Sequence, residues 1–158
     1  MQGQIIRIII ISIVGLLLMM VLQPFIYDQG FIAVDSDWSD INNYYTTAAI
    51  VVFAASVAAT IIWCVLGVVV PYEIDKVLQY QLVWWLLLLL PILGIGVGLF
   101  ILNIPLDNQD VTLNISATIL FFFNGVIWLY WLPTATSSLG KFRNLPPGAN
   151  LINNIFGG

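Results

Sequence analysis

Polar and apolar positions are sorted into blocks along this chain rather than interleaved. Four apolar runs, at about 5–26, 44–70, 81–103 and 111–132, are separated by short polar connections and followed by a mixed tail. Each run approaches or exceeds the roughly 20 residues that an α-helix needs to cross a bilayer. The pattern predicts an all-α membrane protein, a bundle of four transmembrane helices occupying residues 1–135. Residues 136–158 form a tail containing one short amphipathic helix.

The second run is the expected hub. Between Tyr44 and Val70 it carries no charge, and its middle is crowded with small side chains: Ala54, Ala55, Ser56, Ala58, Ala59 and Thr60. Small residues let neighbouring helices approach closely. The third run adds Gly94 and Gly98, a small-xxx-small pair of the same kind, and Pro91, which cannot donate to the carbonyl of Leu87. These glycines lie inside an apolar helix, not at a strand-to-helix turn, so they do not read as a nucleotide site. Whether they meet a helix of this chain or of another is open at this level.

Helix boundaries are read from local signals. Gln23-Pro24 ends the first run, since proline removes a donor and displaces its predecessor from the helical region. A secretory signal is the competing reading of this run, but Phe31-Ile32-Ala33 makes a poor cleavage site, and a true first span is expected. Ser39 or Asp40 is expected to cap the second helix. Pro71-Tyr72-Glu73-Ile74-Asp75-Lys76 reads as the exposed start of the third helix, with proline and acidic residues in its first turn. Asn114-Ile115-Ser116 matches a glycosylation pattern but opens the fourth helix at the membrane edge, which marks it as a chance match.

Composition narrows the chemistry. Of 158 residues 61% are hydrophobic and 8% charged, against about 25% charged in an ordinary soluble domain. With a net charge of −4 and only Arg7, Lys76, Lys141 and Arg143 basic, nucleic acid is not an expected partner. The chain has no histidine and a single cysteine, Cys64, inside the second run. Histidine ligation of haem or zinc is therefore unavailable to it, and no cofactor or metal is expected.

Few residues offer chemistry. The run Asp35-Ser36-Asp37-Trp38-Ser39-Asp40 brushes against a calcium-loop pattern but has Asp40 where that loop needs glycine and Thr46 where it needs glutamate. Asn124 sits near the middle of the fourth run, where an unpaired amide is costly, so it should face Ser56 or Thr60 at similar depth. No acid or base lies at mid-membrane, where proton relays and ion-coupled carriers place theirs.

Orientation follows from charge. Four spans put both termini on one side, together with all four basic residues, while Asp28, Asp35, Asp37, Asp40, Asp107 and Asp110 lie opposite. The positive-inside rule makes the basic side cytoplasmic, as in a bacterial inner membrane, or stromal in a thylakoid-type one. In the tail, Leu151, Ile152, Ile155 and Phe156 share one helical face near Lys141 and Arg143, a strip suited to the membrane surface or a partner. The expected function is a non-catalytic integral membrane subunit, adaptor or assembly factor, whose partners are the bilayer and other membrane subunits or further copies of itself. The alternatives are a homo-oligomeric channel or small-solute carrier lined by Asn124, Ser56 and Thr60, and a lipid-active enzyme using Asp35, Asp37 and Asp40.

Overall fold

The computed structural model describes residues 2–71, 73–106, 110–137, 142 and 144–156, and only the backbone of Gln2, Ile74, Ser137 and residues 153–156. Among the described residues there is helix and no strand. Four helices are long and apolar enough to cross a membrane: α1 (Gly3–Asp28), α2 (Trp38–Val69), α3 (Val77–Leu102) and α4 (Val111–Thr136). A short fifth helix, α5 (Ala149–Phe156), follows. The side chains at 155 and 156, and all of Lys141 and Arg143, lie outside the described residues, so the expected apolar strip is visible only at Leu151 and Ile152.

The spans differ from the sequence expectation at their ends, each time for a local reason. Gln23-Pro24 does not stop α1. Leu18–Leu22 widens into a π turn in which the Gln23 N–H bonds the Leu18 carbonyl, five residues back, and the helix then continues to Asp28. The wider turn relieves the crowding that a proline ring imposes on the carbonyl four residues before it. In α4 the same order recurs on a larger scale: Phe122–Trp131 is π-helical, and Pro133 follows two residues later. Pro91 in α3 is carried without such widening, so proline alone is not sufficient.

The start of α2 also moves. Asp37, not Ser39 or Asp40, is its cap, accepting from the Ser39 N–H at 3.1 Å and extending the helix six residues beyond the apolar run. Before α3, residues Ile74–Lys76 form a single 3₁₀ turn, and the α-helix proper begins at Val77. The helix of α4 runs on through Pro133 to Ser137. Asp110 caps its start, accepting from the Leu113 N–H at 2.8 Å.

Helix α2 is the hub, packing most extensively against α3 and then against the π segment of α4. Its exposed faces carry Ala54 and Ala58, while Ala48, Ala49, Val52, Ser56, Ala59 and Thr60 are buried. Helix α1 stands at the side, held mainly by α4. Gly15 lies against Leu129 and Trp128, the Trp128 indole N–H donates to the Ile11 carbonyl at 3.1 Å, and Arg7 donates to the Thr136 carbonyl at 3.0 Å. That last bond sets the start of α1 and the end of α4 at one end of the bundle.

Candidate functional site

The small-residue motifs are used within this chain. A Cβ added at Gly94 would stand 2.7 Å from the Ala55 Cβ, and one at Gly98 would stand 3.1 Å from Val52 Cγ2 and 3.2 Å from the Ala48 carbonyl. The Gly94/Gly98 face of α3 is therefore seated on α2, which answers the question left open by the sequence. Gly125 of α4 seats on the same helix: its Cβ would meet Val52 Cγ1 at 2.8 Å and Ser56 Oγ at 3.1 Å. Three helices thus converge on Val52, and glycine is what allows them so close.

Polar side chains at this depth are arranged differently from the expectation. Asn124 is 2% exposed and its Oδ1 has no hydrogen-bond partner. Ser56 does not reach it, because its hydroxyl donates to the Val52 carbonyl of its own helix at 2.7 Å. Thr60 instead donates to the Leu129 carbonyl at 2.7 Å. The pairing of Asn124 with Ser56 or Thr60 is not formed. The reason is local competition: a helical serine or threonine finds a backbone carbonyl before it finds a distant amide.

A second polar cluster closes the end of the bundle away from the termini. The Tyr45 hydroxyl donates to Gln23 Oε1, Tyr27 Oη and Ser116 Oγ are 2.8 Å apart, and the Tyr27 ring stacks on Trp38 while Tyr45 meets both rings edge-on. Asp110, 3% exposed, accepts from the backbone N–H groups of Asp35 at 2.8 Å and Ser36 at 3.0 Å as well as from Leu113. Burial alone would raise its pKa, but the N–H groups of Leu113, Ser36 and Asp35 outweigh that and hold the carboxyl below its ordinary range. Asn103 and Asn114 exchange two amide bonds, at 2.8 and 2.9 Å, across the α3–α4 connection.

At the opposite end the tail folds back into the bundle. Phe142 and Leu145 are buried with Trp63, Tyr80, Trp84 and Tyr130, and the Phe142 ring lies 5.2 Å from that of Trp63 and 4.8 Å from that of Tyr80. Tyr130 donates to the Trp84 carbonyl at 2.5 Å, and the Trp84 indole N–H donates to Thr134 Oγ1 at 3.1 Å. The Trp131 indole N–H holds the Pro147 carbonyl at 2.8 Å, fixing the turn before α5. Nearby, hydrogen bonding to the Glu73 carboxylate 2.7 Å away holds the Lys76 ammonium above its ordinary pKa.

The acidic residues proposed for a metal are dispersed among structural tasks. Asp37 caps α2, Asp40 sits in the first turn of that helix, and the backbone of Asp35 donates to Asp110. Among the described residues no three Asp, Glu or Cys side chains stand close enough together to hold a metal ion. An apolar groove of about 560 Å³ lies between α1 and α2, lined by residues including Ile9, Ser12, Ile13, Ile61, Cys64 and Val65. Comparison of the chain with protein-family models, curated proteins and solved structures finds no match.

Proposed function

We propose that this chain is a non-catalytic integral membrane subunit, adaptor or assembly factor, with both termini in the cytoplasm of a bacterial inner membrane or on the stromal side of a thylakoid-type one. The observation that carries the reading is the use of polar side chains. Gln23, Thr60, Trp84, Asp110, Tyr130 and Thr134 each bond another part of the chain, so they serve to hold the helices together. The basic residues Arg7, Lys76, Lys141 and Arg143 all fall on the terminus side of the four spans and none on the other, which favours the orientation. Cysteine accessibility tests it in a Cys64→Ala background. Asp37→Cys should react from outside intact cells, and Asn144→Cys only after permeabilisation.

The tail is the proposed contact for a partner. Leu151 is 71% exposed on α5, and the sequence continues its apolar face through Ile155 and Phe156. The double change Ile152→Asn with Phe156→Asn should leave insertion intact, since the spans carry the membrane affinity, while partners are lost on purification. Retention of every partner at wild-type ratio would remove the tail from this role.

Asn124 supports a second reading, a channel or small-solute carrier. A buried amide oxygen without a donor is what a transported polar solute would meet. Asn124→Leu separates the two. It should stabilise a purely structural bundle or leave it unchanged, and should abolish solute flux in reconstituted vesicles if the second reading holds.

A further inference from the structure

The groove between α1 and α2 has a length that identifies its occupant. On α1 its lining runs from Ile5 to Leu16 and on α2 from Val69 back to Phe53. Leu16 lies at the midpoint of α1 and Phe53 a little past the centre of the apolar part of α2, so the groove begins at the terminus-side end and stops short of the far end of the spans. The α1 lining rises about 17 Å over eleven residues and the α2 lining about 24 Å over sixteen, both short of a hydrocarbon core about 30 Å thick. A transmembrane helix of a partner would need a seat crossing both leaflets. A strip of this length and one helix diameter wide, about 10 Å, offers about 200 Å², far below the about 800 Å² per partner of a stable protein interface.

We infer that this groove holds one acyl chain of a phospholipid from the terminus-side leaflet, retained as part of the folded protein. Its walls are branched aliphatic side chains except for Phe53 at the inner end and Ser12 and Cys64 along its length. They offer a flexible hydrocarbon tail contact on two sides where the open lipid-facing surface of α3 offers one. The inference is independent of the subunit proposal, because a lone chain and an assembled one would hold the lipid alike.

The test uses the full chain in phosphatidylcholine vesicles containing a trace of phosphatidylcholine with a photoactivatable diazirine in one acyl chain. Crosslinks should concentrate on Ile9, Ile13, Ile61 and Val65, severalfold above those on Leu89, Leu93 and Phe100, which face outward from α3. Filling the groove with Ser12→Phe and Val57→Phe should bring its yield down to the α3 level while leaving α3 labelling unchanged. Ile61→Trp, a single change at an exposed position, should lower it in the same direction without the risk of misfolding. Equal yields on the groove and on α3 in the wild type, or a groove yield indifferent to both variants, would overturn the inference. High-yield oxidative coupling of Cys64 to Cys64 of a second copy would overturn it too, by placing protein in the groove.

Discussion

Thr60 on α2 donates its hydroxyl to the carbonyl of Leu129 on α4 at 2.7 Å, four residues before Pro133. Leu129 lies in the π-helical segment of α4, where backbone bonds reach five residues rather than four, and Pro133 removes a donor from the turn that follows. The Thr60 hydroxyl ties the hub helix to this widened turn. Loss of the hydroxyl in Thr60→Val should cost about 1 kcal/mol, within the range of about 0.6 on average to about 1.7 measured for interhelical bonds in membranes.

The same pair predicts a coupling. Pro133→Ala returns a backbone N–H to the turn, so Thr60→Val should cost much less in that background. Thermal stability of the four proteins of the cycle, in one detergent, checks this. Equal penalties in both backgrounds would show that Thr60 acts through packing rather than through the Leu129 carbonyl.

The glycine face gives a sharper contrast. Gly94→Ala and Ala55→Leu both force atoms into the α2–α3 contact and should destabilise by about 1–3 kcal/mol, the usual range for overpacking. Gly96 lies between the two packed glycines and has nothing within 4 Å of an added Cβ. Gly96→Ala should be neutral or slightly stabilising, since glycine in a helix costs about 1 kcal/mol relative to alanine. Melting curves of the three variants decide it, and a loss at Gly96 equal to that at Gly94 would refute the assignment of faces.

Asp110 makes stability depend on acid. Its folded pKa lies below the ordinary carboxylate value, so its contribution is complete above that value and is lost as pH falls through the folded one. Asp110→Asn should therefore be destabilising at neutral pH, by about 1–3 kcal/mol for a buried charged cap. Melting temperatures of the two proteins, measured from neutral pH downwards, should draw together once the pH falls below the ordinary carboxylate value. A difference that stays constant over the whole range would mean that the charge is not what Asp110 contributes.

Sequence patterning revealed the four spans because twenty-residue apolar blocks have few other uses. It also identified Gly94, Gly98 and Ala55 as close-packing positions, since small side chains in an apolar helix carry that meaning locally. It did not reveal which helix they meet, because that depends on the tertiary arrangement. The cap at Asp37 was missed for a related reason: Ser39 and Asp40 are equally good caps in isolation, and the packing of Trp38, stacked on Tyr27 and edge-on to Tyr45, favours the longer helix. The π segment of α4 has no sequence signal beyond the proline that follows it. Asn124 was legible as an anomaly, but its presumed partners had nearer carbonyls to bond. Phe142, isolated between basic residues, gave no sign that it would be buried against Trp63 and Tyr80.

The central claim is that the chain works as one component of a larger membrane assembly. Extraction in a gentle detergent, followed by intact mass measurement and protein identification of the purified particle, tests it most directly. The account predicts a particle in which this chain is present at a fixed ratio with at least one different membrane protein. A particle containing this chain alone, whether as a single copy or as a closed ring, would contradict it.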